Sequence, residues 1–519
     1  MQRPARSDSL LMAALAALAA ILIRLIHLER LGISHWDEGE YVRAARLLAD
    51  HFTQGLAHLA PEHAPPLVPV LISLSFRLFG PYDFAAILVS AVTGGLTVGL
   101  VFWILDRAAG RAAAWGGAII LALCPLHLVY SRMALTDATF TCFHALGLLL
   151  SLARIAPAPP SRAFAIRLWL NGLLLGLTTA AAMFTKYQGL IVWLSAACFE
   201  ALIVAAAALR RRRGAAPASP ILLPARAGSL LLALAVAWLC WLPWRLYVLR
   251  TYGPTAMHEQ HGLFIRPLSD LPQAAFDSSL ILLAVLWIWA RWAGLLAAVG
   301  ALPAWRAQRN GTAALLGWGL AYGFAWLLYT PFIRLLTPLL PLLSLLGGVA
   351  LGALSNAEGS ARRAWAGRLM TLLVVGLMAL HAAEALRWRS DGYRRLGDRF
   401  DEIAALRAGL PLVVRLAHPI TFYQRDWPHA MMSDPDAPID LYGRRFLLLV
   451  DTSVDLIPAS RRLMDLWRPH AELIWTAEND RLPPTIFNPP ARDDIGPMRG
   501  AWPIPPHRTH FLLYEVNLD

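Results

Sequence analysis

The stretch FAAILVSAVTGGLTVGLVFWIL, Phe84–Leu105, runs for 22 residues without a formal charge. A helix rises 1.5 Å per residue, so about 20 apolar residues cross the hydrocarbon core of a bilayer. Runs of the same kind recur along the chain. Of its 519 residues, 57% are hydrophobic and 15% charged, against roughly 25% charged in soluble domains. Mean hydropathy is +0.51. Such a chain needs a solvent other than water, and it reads as an all-α polytopic membrane protein. The first run, Ser9 to His27, stands where a secretory signal would. It has no small-residue cleavage site and stays bulky from Ile21 to Leu28, so it reads as a retained anchor helix.

Outward from Phe84–Leu105, eleven membrane helices are expected, at 9–28, 84–105, 112–130, 137–154, 166–184, 188–209, 227–248, 277–303, 312–330, 333–354 and 366–387. An odd number puts the two chain ends on opposite sides. Arginine bias then orients the bundle. Arg3, Arg6, Arg107, Arg111, Arg154, Arg162, Arg167, Arg210 to Arg213, Arg306, Arg309, Arg362, Arg363 and Arg368 share one face, which is expected to be cytoplasmic. The opposite connections, 29–83, 131–136, 185–187, 249–276 and 388–519, are longer or acid-balanced and are expected to be periplasmic. The formal charge of +12 therefore reports topology. There is no basic stripe with interleaved aromatics, so nucleic acid is not an expected partner. Cys124, Cys142, Cys198 and Cys240 all lie in apolar runs without ligand spacing, as small core residues do.

Two domains follow from the composition: a transmembrane domain over 1–387 and a soluble α/β domain over 388–519. In the long loop 29–83, Tyr41, Ala44, Ala45, Leu48 and Phe52 share one helical face, the pattern of an interfacial helix. Leu67 to Phe79 is short for a span and starts among Pro65, Pro66 and Pro69. It reads as a second interfacial or re-entrant piece. After 388, Asp391 to Leu406 is helix-patterned. Leu412 to Leu416, Phe446 to Val450, Leu473 to Thr476 and Phe511 to Val516 are strand-like, with a helical Ala459 to Trp467 between two of them. The Pro-rich Pro483 to Pro490 and Pro503 to Pro506 are expected as loops.

The external connections carry charges at one membrane depth. Asp37 and Glu38 lie in His35-Trp36-Asp37-Glu38-Gly39-Glu40-Tyr41, and Asp137 starts the fourth helix. Lys186 ends the fifth helix, and Arg334 follows the ninth. An acid there can take the proton of an acceptor hydroxyl, and a cation can stabilise a phosphate leaving group. Each residue also has a plainer reading. Asp37 and Asp137 could cap helix N-termini, and Lys186 and Arg334 could be snorkelling anchors. Lys186 is the one lysine among 46 basic residues. His258 and His261 sit three apart in a loop, as a metal site or a wet histidine pair. Glu200, inside an apolar run, needs a partner or a cavity.

These stretches resemble a known family. His35 to Ala49, then His63-Ala64-Pro65-Pro66-Leu67, Leu78-Phe79-Gly80, Cys124-Pro125 through Ser131-Arg132 to Asp137, and Thr185-Lys186-Tyr187 look like the protein mannosyltransferase and aminoarabinose transferase superfamily, membrane glycosyltransferases of the C-type fold. Phe422-Tyr423-Gln424-Arg425 resembles the C-terminal α/β domain of its bacterial members. The resemblance implies Asp37 as catalytic base with Glu38 and Asp137 beside it. Lys186, Arg334, Arg132, Tyr41, His63 and Tyr187 become the substrate-binding candidates. It also implies an undecaprenyl-phosphate sugar as donor, and a lipid, glycan or protein hydroxyl as acceptor. The resemblance implies inversion at the anomeric centre, and the reaction is expected at the periplasmic face of a bacterial inner membrane. No cofactor is expected to be required, and a divalent metal is compatible with this expectation. A polytopic lipid or glycan transporter is the rival reading, but it wants polar sites at the bilayer midplane. A non-catalytic relative with a ligand-binding external domain is a second rival.

Overall fold

The computed structural model describes the chain except residues 1–5, 53–64, 156–161, 213–221, 255–264, 266, 274, 277, 278, 280, 281, 284–289, 308, 330–332, 356–360, 407–409, 416–419, 424–428, 432–442, 452–463 and 480–508. Among the described residues, seven helices are long and apolar enough to cross a membrane: Ser7–Arg24, Asp83–Ala108, Ala163–Thr185, Tyr187–Ala205, Pro224–Tyr252, Arg334–Ser355 and Trp365–Leu386. They coincide with seven of the eleven expected spans. The other four expectations meet shorter helices. We number the helices in chain order as α1 (Arg6–Arg24), α2 (Trp36–Asp50), α3 (Leu67–Phe79), α4 (Asp83–Ala108), α5 (Arg111–Ala122), α6 (Pro125–Tyr130), α7 (Thr136–Leu152) and α8 (Arg162–Thr185). Then come α9 (Ile191–Arg212), α10 (Leu222–Tyr252), α11 (Arg291–Ala307), α12 (Arg309–Leu327), α13 (Leu340–Ser355) and α14 (Ala361–Leu386).

The span expected at 112–130 is broken into α5 and α6. Leu123 and Cys124 leave the helix, and Pro125, which cannot donate to a preceding turn, opens the next one. Among the described residues, the loop 29–83 holds the expected amphipathic helix, α2, and a second helix, α3, over the piece read as interfacial or re-entrant. One buried cluster runs through α1, α4, α5, α7, α12 and α13, while leucines on α8, α10 and α14 face outward, as lipid allows.

Beyond α14 the chain builds an α/β unit. Helix α15 (Gly392–Leu406) precedes a five-stranded mixed sheet. Its strands are β1 (Leu412–Arg415), β2 (His429–Met431), β3 (Arg445–Asp451), β4 (Ala471–Asn479) and β5 (Thr509–Asn517), in the order β2-β1-β3-β5-β4. β1 is parallel to β2 and β3, and β5 is antiparallel to β3 and β4. The four expected strands are present. β2 is additional: three residues, His-Ala-Met, carry no period-2 signal. Residues 464–467 are helical, while 459–463 and both Pro-rich stretches lie outside the described residues. A one-turn helix, α16 (Ile420–Tyr423), leaves the sheet toward the bundle.

The charges counted as topology signals are not all alike. Arg154 is fully buried. Its Nε meets Glu200 Oε1 at 2.5 Å, and Arg226 Nη1 meets Glu200 Oε2 at 2.6 Å. Asn171 and Ser229 accept two further Arg154 donors. This is the partner that Glu200 required. Removing one member of such a buried network leaves an uncompensated charge, at a cost of about 3–5 kcal/mol.

Candidate active site

Four elements converge at one end of the bundle. The first is α2. Its N-cap is His35, whose Nδ1 accepts from the Asp37 amide at 3.0 Å. Glu38 completes the capping box: Oε2 accepts from the amides of His35 at 2.8 Å and Ser34 at 3.0 Å. Glu38 Oε1 reaches across to the Ala134 amide at 2.6 Å. Glu38 thus ties the start of α2 to the turn before α7. Burial pushes its carboxyl up to about 7, although the His35, Ser34 and Ala134 amides favour the ionised form. With capping done by His35 and Glu38, Asp37 is not the cap. Its carboxylate meets the 3₁₀ helix Ile333–Leu339, where it accepts from Arg334 Nη1.

The second pair has the same form. Helix α7 has Leu135 as N-cap with no side-chain capping bond, so Asp137 is not a cap either. Asp137 Oδ1 accepts from Lys186 Nζ at 2.6 Å, and its Oδ2 is buried without a hydrogen-bond partner. Lys186 stands in the break between α8 and α9. The turn that follows packs so tightly on α8 that a Cβ on Gly189 would lie 2.1 Å from the Met183 nitrogen, and only glycine fits there. Burial lowers the Lys186 pKa, against the pull of Asp137. The Lys186 and Arg334 side chains are 12% and 17% exposed. Both are paired to acids, so neither is a snorkelling anchor.

The two pairs are one cluster. Tyr41, buried on α2, feels Asp37, Arg334 and Asp137 and has the Thr136 side chain as a hydrogen-bond partner. Burial first, then Asp37, holds its hydroxyl well above the usual range. The Arg334 segment is pinned to its neighbours. Thr337 Oγ1 donates to Arg334 O at 2.8 Å and accepts from Thr141 of α7 at 3.2 Å, while Tyr322 donates to Leu335 O at 2.6 Å. Tyr329 stands near Asp37 and Arg334, its hydroxyl pushed up to about 12 mainly by burial. Tyr322, Tyr329, Thr141 and Thr337 were not among the sequence candidates. The first two are spaced seven apart, Tyr322 in α12 and Tyr329 just beyond its end, a pattern that a core face shares.

The remaining candidates divide. Arg132 is buried, and its Nη2 donates to Ile26 O at 2.7 Å and its Nη1 to Ala385 O at 3.5 Å. It staples the ends of α1 and α14 and does not reach the acids. Tyr187 packs edge-on to Trp241 in an aromatic cluster with Trp244 and Phe184. His63, His258 and His261 lie outside the described residues. Among the described residues, no group of three His, Cys, Asp or Glu is placed to hold a metal.

Residues 63–241, roughly a third of the chain, match the family described as dolichyl-phosphate-mannose-protein mannosyltransferase. That region contains Asp137 and Lys186 but stops short of Asp37 and Arg334 at either side. No curated protein matches the chain by sequence. Among solved structures, ArnT from Cupriavidus metallidurans in the apo state is similar at TM-score 0.58 and 17% identity, over 85% of this chain and 94% of that one. The same protein bound to undecaprenyl phosphate gives 0.57 and 17%, over 87% and 95%. The Archaeoglobus fulgidus oligosaccharyltransferase tethered to an acceptor peptide gives 0.54 and 13%, over 86% and 69%. The shared architecture shows that the chain is a membrane protein of the C-type glycosyltransferase fold, and its central helices are similar to the mannosyltransferase family.

Proposed function

We propose that the chain transfers a monosaccharide from a polyprenyl-phosphate donor to a hydroxyl of a lipid, glycan or protein acceptor, with inversion. The reaction would take place at the periplasmic face of a bacterial inner membrane. The observation that carries this reading is the double ion pair, Asp37 with Arg334 and Asp137 with Lys186, at one end of the bundle. Two cations held by two acids form a neutral site that can receive a phosphate by exchange of partners. On donor binding, Arg334 turns from Asp37 to the phosphate, and Asp37 becomes a free base. Asp37 takes the proton of the acceptor hydroxyl as its oxygen bonds to the anomeric carbon. The bond from that carbon to the phosphate oxygen breaks, and the polyprenyl phosphate leaves as an anion beside Lys186 and Arg334. No acid is needed for so good a leaving group. Glu38 holds the loop and Asp137 holds Lys186. The 388–519 unit belongs to the same face. The undecaprenyl phosphate carried by the ArnT structure supports a donor of that class.

The test is transfer from undecaprenyl-phosphate sugars by the purified chain in liposomes, alongside Asp37→Asn. Asn keeps the size but removes the base and the counter-charge of Arg334, so turnover of the folded protein should fall about 10²-fold or more, with a lower melting temperature. Wild-type turnover in the Asn variant would remove Asp37 from the role of base.

A further inference from the structure

The five residues that lead into the candidate site are held, one after another, by the C-terminal α/β unit. Arg394 of α15 donates through Nη2 to Glu29 O at 2.6 Å and through Nη1 to Leu31 O at 3.2 Å. The Ser390 amide donates to Arg30 O at 2.9 Å. Ser390 Oγ accepts from the Gly32 amide and donates to Gly32 O, both at 3.2 Å. The Tyr423 hydroxyl accepts from the Ile33 amide at 2.8 Å and donates to Asp83 Oδ2 at 3.0 Å. Asp83, the first residue of α4, also takes Arg394 Nη1 at 3.1 Å. Residues 34 and 35 are then held by Glu38, and Asp37 follows.

The fit leaves no slack. A Cβ on Gly32 would lie 2.9 Å from the Tyr423 hydroxyl and 3.0 Å from both Asp391 Cα and Ser390 O. Helix α16 spans the two bodies within one turn. Ile420 sits in the core of the α/β unit, and Phe422 sits in the core of the bundle. Phe422 stacks on Phe76 of α3 at 6.0 Å between centroids. Its carbonyl accepts from Arg46 of α2 at 3.2 Å. Surface docking alone would need none of these bonds to fall on consecutive residues of a single strand of chain.

We propose that Tyr423 is a positioning residue for Asp37, and that the α/β unit acts as the support which sets where the 29–35 strand delivers that carboxylate. This rests on the reading of Asp37 as base. Tyr423 touches no reacting atom. It fixes Ile33 between Asp83 and α16, four residues before Asp37. A shift of about 1 Å in a reacting group can cost on the order of 10²-fold in rate, so slack in this strand should appear in turnover before it appears in donor affinity.

The test uses the full chain with Tyr423→Phe, which keeps the ring and removes both hydroxyl bonds, and with Gly32→Ala, which wedges the contact from the other side. Each is assayed for kcat and KM with undecaprenyl-phosphate sugar, for melting, and for hydrogen exchange of residues 29–41. In Tyr423→Phe, kcat should fall about tenfold or more at a KM within about twofold, and exchange in 29–41 should rise. Gly32→Ala should do the same. Wild-type kcat in Tyr423→Phe overturns the proposal, as does a loss accounted for by a smaller folded fraction. If the wild type itself transfers no sugar, the functional reading fails. Exchange then decides the inference alone, and unchanged exchange in 29–41 sinks it.

Discussion

Lys186 is where a single residue says most. A chain that uses arginine for all its other basic positions keeps here the compact, strongly hydrated cation, whose point charge differs from the planar fork of arginine. Its buried contact with Asp137 changes what a substitution does. Lys186→Met strands a carboxylate whose other oxygen already lacks a partner, so it should lower melting as well as donor use. Pairing it with Asp137→Asn removes the stranded charge. The double variant should regain most of the lost melting temperature and none of the turnover, while Lys186→Arg should restore only part of the activity. Donor kinetics and melting of the three proteins measure this, and full activity in the double variant would take Lys186 and Asp137 out of the chemistry.

At the scale of elements, the start of α2 carries the site because His35 and Glu38 close its N-terminus while the Asp37 carboxylate meets Arg334. The Glu38 carboxyl, raised by burial, binds its proton more tightly folded than unfolded. Stability from this group is therefore full below about pH 4.5 and is lost as pH rises toward about 7. Melting of the wild type should fall across that window. In Glu38→Gln the window should flatten, because the amide does not titrate. Wild-type melting that climbs from pH 4.5 to 7 would mean that the three amide donors outweigh burial. The break at Leu123–Cys124 and the Gly189 turn belong to the same scale. Each interrupts an apolar run to set a loop at the end where the charges meet.

Across the whole molecule, the acids and cations and the α/β unit lie at one end of the bundle, while the Arg154–Glu200–Arg226 network is buried at the far end of α7. The arginine-rich connections are expected on the cytoplasmic side, with the site opposite. Reporters fused after Gly214 and after Asp519 should therefore localise to opposite sides of the membrane. Both on one side would refute the odd number of spans. Arg154 does not weigh in that count, because it is sealed inside the protein and neutralised by Glu200.

Helix positions were legible from the chain alone because hydrophobic length and period are local. Phe84–Leu105 reads as a span and Phe446–Val450 as a strand from the local pattern, whereas Leu67–Phe79 read as an interfacial or re-entrant piece, and its form as a helix came from the structure. The identity of the charged residues was equally legible, since an acid in an external loop beside the membrane stands out against an apolar background. Their roles were not. Whether Asp37 capped a helix depended on His35 and Glu38 folding over the amides. Whether Arg334 anchored in lipid depended on an acid 297 positions away, and the hold of Tyr423 on Ile33 spans 390. No periodicity links such positions. Only the packed bundle, by excluding water and bringing distant charges together, decided that Asp37 meets Arg334, that Lys186 meets Asp137, and that Arg132 serves as a staple.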